Sequence, residues 1–232
     1  MGGLNKLKEY TNRLRSVRAS RIGVFAALYA ATSFVPISPF IGASSFLSLN
    51  LIITPVIAIL LPPSEALFAS LFGAIGALYL APFQAMFGLF TVLLPVAGSV
   101  CGSLLRHKTR VGTIITTIFL VLAVSAYLVK NYQFPYFVIP HSVALLIALI
   151  TLKLKKLMPL KMKILLYAYV STMCEQGMMM IFAVHLINLP WQAFIGILPL
   201  MIYERIIGTL GGCLTVLALM KAIPNFLTYD YQ

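Results

Sequence analysis

Two glutamates and one arginine carry the first suggestion of chemistry. Glu175 lies in Cys174-Glu175-Gln176-Gly177 and Glu204 lies in Tyr203-Glu204-Arg205, each deep inside a long apolar stretch. A charged side chain in hydrocarbon is costly, and by default it marks a functional site. Two acids and one base at similar depth on neighbouring helices suit a pocket for a small polar or charged ligand. The same residues equally suit a Glu175–Arg205 or Glu204–Arg205 pair that locks two helices together, because a buried charge needs a partner either way. Asn50, Gln84, His141, Gln176 and Tyr203 add polar groups toward the same side of the apolar layer. Together these eight residues form the candidate substrate-binding set. Trp191, Tyr132 and Tyr136 suit interfacial anchoring as well as ligand contact. His141 and His185 each read as structural or wet rather than as ligands, and Met178-Met179-Met180 reads first as soft packing.

Other chemistry finds no support. There is no DDxxD and no HExxH, and Gly98-Ser-Val-Cys-Gly102 lacks the Ser of a nucleophile elbow. The three cysteines, Cys101, Cys174 and Cys213, make no CxxC. The expectation is therefore a protein that is not an enzyme, with no catalytic residues, no metal site and no cofactor.

The elements that must hold these residues follow from composition. Of 232 residues, 61% are hydrophobic and 9% are charged, against roughly 25% charged in an ordinary soluble domain. The mean hydropathy is +0.99. The expected fold is all-α, a polytopic transmembrane helix bundle. No charge falls between Ile22 and Ser64, a run of 43 residues, about twice the ~20 that one crossing needs. Pro36, Pro39 and Gly42 break it, giving helices at 22–36 and 48–61 around a loop at 37–47. Pro62-Pro63 stops the second helix. Further helices are expected at 64–80, 84–105, 111–129, 131–152, 163–187 and 193–221. The second is short, so six spans plus a hairpin is the alternative to eight crossings.

The net charge of +12 resembles a nucleic-acid signal, but the 17 Lys and Arg sit in blocks between apolar runs. In the eight-crossing arrangement fifteen of them fall on one side and only Lys130 on the other, with Arg205 inside. That bias places both termini in the cytoplasm and the protein in the plasma membrane, with anionic lipid rather than nucleic acid as the partner of the charge. Residues 1–20 read as a basic interfacial segment, 21–222 as one transmembrane domain and 223–232 as a cytoplasmic tail. No cleavable signal is expected and no internal repeat is visible.

Small residues form the last pattern. The first helix carries Ala26/Ala30 and Ala27/Ala31, a spacing that lets another helix approach closely. The basic N-terminus, this Ala stripe, the Pro/Gly/Ser-rich loop at 36–47, the tight Leu61-Pro-Pro-Ser-Glu-Ala66 turn and the basic block Arg106–Arg110 follow in order. In these features, best over 20–110 and again over 163–222, the chain resembles the substrate-binding S component of energy-coupling factor (ECF) transporters. That family usually has six spans, and 111–160 would be the two extra helices. The resemblance implies import of a vitamin or similar small molecule in a prokaryote. It implies a pocket walled by residues such as Asn50, Gln84, Glu175, Gln176 and Tyr203 and capped by 38–47. It also implies docking through Ala26, Ala27, Ala30 and Ala31 onto a membrane coupling subunit that ATPase subunits drive. The rival expectations are a non-catalytic subunit of a larger membrane complex and a stand-alone ion- or proton-coupled carrier using Glu175 and Glu204.

Overall fold

Proline and glycine decide where the helices stop. The computed structural model describes residues 2–39, 46–154 and 157–223, and among them eight α-helices and one short ribbon succeed one another. Helix α1 runs without a break over Gly2–Thr32. The basic stretch and the first apolar stretch are thus one helix, since no proline occurs before Pro36 and the one interior glycine, Gly23, is tolerated on an open face. Strands β1 (Pro36–Pro39) and β2 (Phe46–Ser48) then pair antiparallel, with Pro36 opposite Ser48 and Pro39 opposite Phe46. The sequence led us to expect only a loop here. Prolines are tolerated because both strands of a two-stranded ribbon are edges. Residues 40–45 of the expected cap lie outside the described residues.

Helix α2 (Asn50–Leu60) has 11 residues and is about 16 Å long, too short to cross the ~30 Å hydrocarbon layer alone. All of it except Ile52 is buried, and it packs against α1, α3 (Pro63–Leu80), α4 (Leu93–His107), α7 (Leu160–His185) and α8 (Trp191–Ala222). It is the axis of the bundle. The stretch expected to be helical from residue 84 instead begins as 3₁₀ turns at Pro82–Gln84 and Gly88–Val92, because Gly88 adopts φ 58° and interrupts the helix. Helices α5 (Thr109–Asn131) and α6 (Ile139–Leu154) pack on each other and on α7. The α4–α5 turn is tight enough that a Cβ on Gly112 would lie 2.3 Å from the Leu104 carbonyl, so only glycine fits there.

Among the described residues five segments are long and apolar enough to cross a membrane: Pro63–Leu80, Gly88–His107, Thr109–Asn131, Pro135–Lys153 and Trp191–Ala222. The chain is an all-α, multi-pass membrane protein. Hydrogen bonds tie the two ends. At the basic end Ser103 Oγ donates to the Leu61 carbonyl at 2.6 Å, and Arg21 Nη2 donates to Glu65 Oε1 at 2.8 Å. At the opposite end Lys130 Nζ donates to Asn188 Oδ1 at 2.8 Å and Tyr127 Oη to the Phe134 carbonyl at 2.9 Å. The turn at 62–65 has no basic residue of its own, yet α1 brings Arg21 and Arg18 to it.

The small-residue stripes divide by face. Ala26 and Ala30 meet Gly73 and Gly76 of α3, where an added Cβ would come within 3.2 Å of Ala26 Cα and of Ala30 Cβ respectively. Ala27 and Ala31 are exposed, in line with Gly23. Gly208, Gly211 and Gly212 of α8 seat Leu51, Ile52 and Pro55 of α2.

Candidate functional site

One-turn spacing on four helices builds a polar column through the apolar bundle. Tyr29 on α1 and Ser33 in the turn just past its end, Asn50 and Thr54 on α2, Thr172 and Gln176 on α7, and Arg205 and Thr209 on α8 are each four residues apart, so each pair within a helix shares a face. All eight are buried. At the ribbon end Asn50 Nδ2 donates to Gln84 Oε1 at 2.9 Å, and Gln84 Nε2 donates to the Ser33 carbonyl. Asn50 and Gln84 thus clamp the end of α1 to α2. A cavity of about 20 Å³ remains between Tyr29, Asn50, Gln84 and Thr91, room for a single water.

Deeper in the bundle lies the charge cluster. Arg205 Nη1 stands 4.0 Å from Glu175 Oε2 and donates to the Thr172 carbonyl at 3.1 Å. Arg205 Nη2 stands 3.8 Å from Glu204 Oε2. The Thr172 and Thr209 hydroxyls meet at 3.1 Å. Glu175, Glu204 and Arg205 are 6%, 4% and 3% exposed, so water does not screen them. Both ion pairs are longer than a hydrogen bond. Glu175 Oε2, Thr54 Oγ1 and Arg205 Nε and Nη2 are buried and make no hydrogen bond. Glu175 is pressed into place from α4, since a Cβ on Gly98 would lie 3.0 Å from Glu175 Cβ and 2.8 Å from Thr54 Cγ2. Tyr29 lies close enough to feel the charges of both Glu175 and Arg205. Buried polar groups are nearly always satisfied, and a buried set left short of partners is a place for a ligand, a proton or ordered water.

The structure therefore brings Glu175, Glu204 and Arg205 together and sets the Asn50–Gln84 clamp on the same column. Gln176 is buried beside Glu175 with Oε1 unbonded. His141 makes no hydrogen bond to the cluster, though it too lies close enough to feel the Arg205 charge. It is fully buried among α5, α6 and α7, its Cδ2 3.8 Å from where a Gly177 Cβ would sit, and both ring nitrogens make no hydrogen bond. Tyr203 is 52% exposed and faces away from its inward neighbour Glu204. The sequence reading did not single out Tyr29, Thr54, Thr172 or Thr209. The available signal was their one-turn offset from Ser33, Asn50, Gln176 and Arg205. Among the described residues no group of three or more His, Cys, Asp or Glu is placed to hold a metal ion. A larger cavity of about 720 Å³, between α3 and the 88–93 segment, is lined by apolar groups such as Leu78, Phe90 and Val92 and holds none of the candidates.

No family model, curated protein or solved structure matches this chain. What fold and site define is a class: a multi-pass helical membrane protein with a buried charge cluster between α7 and α8.

Proposed function

We propose that this protein is the membrane-embedded substrate-binding component of an ECF-type importer for a vitamin or similar small polar molecule, with coupling and ATPase work done by separate subunits. The observation that carries the reading is the polar column, which descends from the ribbon end to the Glu175–Arg205–Glu204 cluster, where Glu175 Oε2 and Arg205 Nε and Nη2 make no hydrogen bond. A ligand entering there would trade the Asn50–Gln84 bond for its own and would have to part the helices, since the closed bundle leaves only about 20 Å³ beside that clamp. The ribbon at 36–39 and 46–48 is in position to cap it. The exposed Gly23-Ala27-Ala31 line supports docking onto a coupling subunit, because small residues let helices approach closely in lipid. Ala26 and Ala30, committed to α3, would support that contact only from behind. The basic end faces the cytoplasm of a plasma membrane by the distribution of Lys and Arg.

A second reading, a stand-alone proton-coupled carrier, is favoured by one observation: two buried carboxylates, Glu175 and Glu204, flank the one guanidinium of Arg205. The test is purification in mild detergent without added ligand, followed by mass spectrometry of the bound small molecules. A stoichiometric small polar compound, lost on Glu175→Ala, is the expected result. An empty protein that transports alone in liposomes, with transport abolished by Glu175→Gln, would replace the importer reading with the carrier.

A further inference from the structure

A ligand on the Asn50–Gln84 clamp needs room that the closed column lacks, since only about 20 Å³ remains beside it. The room lies next door. The cavity of about 720 Å³ between α3 and the 88–93 segment backs onto that small space, and Leu78 lines both. Gln84 and Thr91 line the small space, and their chain neighbours Ala85 and Val92 line the large one. The large cavity is walled by hydrocarbon apart from Tyr79, and its rim residues Ile75, Tyr79 and Leu89 are exposed on the apolar outer surface. In a bilayer it opens to lipid. One side of the shared wall can give. Helix α3 is fixed from behind, where Gly73 and Gly76 seat against Ala26 and Ala30 of α1. The other side is two 3₁₀ turns, Pro82–Gln84 and Gly88–Val92, in place of a continuous helix. Gly88 opens the second turn at φ 58°, with open space where a Cβ would stand. Such a segment shifts without breaking an α-helical ladder, and short 3₁₀ stretches often serve as hinges.

We infer that the two spaces form one binding site for an uncharged amphipathic molecule that enters sideways from the membrane, its apolar body in the large cavity and an amide-like head on Asn50 and Gln84 once Leu78 turns aside. This rests on the reading of the column as a ligand site and narrows what that site takes. An acyl chain would fill the large cavity but bring nothing to replace the clamp's hydrogen bond, and a buried polar group left unpaired is costly. A charged head would find no counter-charge, since among the described residues those lining the small space carry none. A carboxamide, lactam or urea offers a donor and an acceptor together, the same two roles that Asn50 and Gln84 exchange when their bond opens. The volume of the large cavity lies within the range of small-molecule pockets.

The experiment is photolabelling of the full chain in lipid nanodiscs with 4-benzoylbenzamide, mapped by peptide mass spectrometry. Three competitors of one shape are compared at equal mole fraction in the bilayer: biphenyl-4-carboxamide, 4-methylbiphenyl and biphenyl-4-carboxylate. Saturable labelling near Ile75, Tyr79 or Leu89 is expected, with the amide competing roughly tenfold better than the hydrocarbon, the discrimination of two ordinary hydrogen bonds. The carboxylate should compete less well than the amide. Gln84→Leu should level amide and hydrocarbon while competition by the hydrocarbon holds, which also shows that the fold stands. Leu78→Trp, which thickens the wall without touching the clamp, should level them too. Equal competition by amide and hydrocarbon in the unaltered protein would reduce the cavity to an acyl-chain seat and overturn the proposal. Strongest competition by the carboxylate, or an amide advantage that survives both variants, would overturn it as well. The importer reading falls separately, on an empty protein that transports alone. A bound polar compound lost on Glu175→Ala, found together with equal competition, would keep that reading and sink only the sideways site.

Discussion

The molecule pairs buried acid with arginine twice, and the two places are built differently. At the basic end Glu65 receives a hydrogen bond from Arg21 at 2.8 Å, with Arg18 at 3.8 Å and largely in the open. One carboxylate has two guanidiniums, one close and one reaching from solvent. On the axis the ratio is reversed, with one guanidinium between two carboxylates, at 3.8 and 4.0 Å and with no hydrogen bond between them. The first arrangement fastens α1 to α3. The second holds charge out of water on pairs longer than a hydrogen bond, the arrangement that the importer reading takes for a binding site.

Substitutions can break or sharpen that contrast. The largest effect is expected from Arg205→Leu, which strands two buried carboxylates. Thermal unfolding in detergent should show a loss of about 3–5 kcal/mol, and Glu175→Gln with Glu204→Gln added should restore most of it. If Arg205→Leu alone is neutral, the cluster is not a charge cluster in the working protein. Next comes Glu65→Gln, expected to cost about 1.5–3 kcal/mol as a charge-assisted bond is lost, while bound small molecules detected by mass spectrometry stay unchanged. Glu175→Gln should invert that pattern: a stability change below about 1 kcal/mol, since the amide keeps the shape of the carboxylate and Arg205 keeps Glu204 and the Thr172 carbonyl as partners, with loss of the bound ligand. Were Glu65→Gln to empty the protein and Glu175→Gln to leave it loaded, the two regions would have exchanged roles. The smallest effect belongs to Ala27→Leu on the exposed side of α1, within about 0.5 kcal/mol. Its buried counterpart Ala30→Leu, which meets Gly76, should destabilise by about 1–3 kcal/mol through overpacking. A pull-down of partner subunits that Ala27→Leu abolishes would give the exposed line its purpose.

Much of the bundle was legible because hydrophobic runs and prolines are local signals. Pro62-Pro63 ended α2, and the basic blocks marked the turns. Where the reading missed, local signals conflict with pairing. The stretch around Pro36 and Pro39 reads as a loop because of its prolines, yet residues 36–39 and 46–48 pair as a ribbon once each strand finds the other. The helix expected from residue 84 starts late because a single φ at Gly88 outweighs apolar periodicity. In the site, Glu175, Glu204 and Arg205 were visible as charges in apolar runs. Tyr29 and Thr54 were not, because a tyrosine or threonine is ordinary in a span and only its neighbours make it part of a column. Tyr203 shows the reverse: adjacent in sequence to Glu204, it is turned out of the bundle, since neighbours on a helix point about 100° apart.

By itself the sequence determined that this chain lives in a membrane, that it is helical, and that three charges must be buried within it, because hydropathy and charge are properties of residues and need no partner. The tertiary structure alone decided which helix faces which. It made α2 the axis, gave Glu65 its arginines from a helix 44 residues away, spent Ala26 and Ala30 on α3 while leaving Ala27 and Ala31 outside, and set one guanidinium between two carboxylates. Those outcomes depend on distances between groups far apart in the chain, and packing fixes such distances where composition cannot.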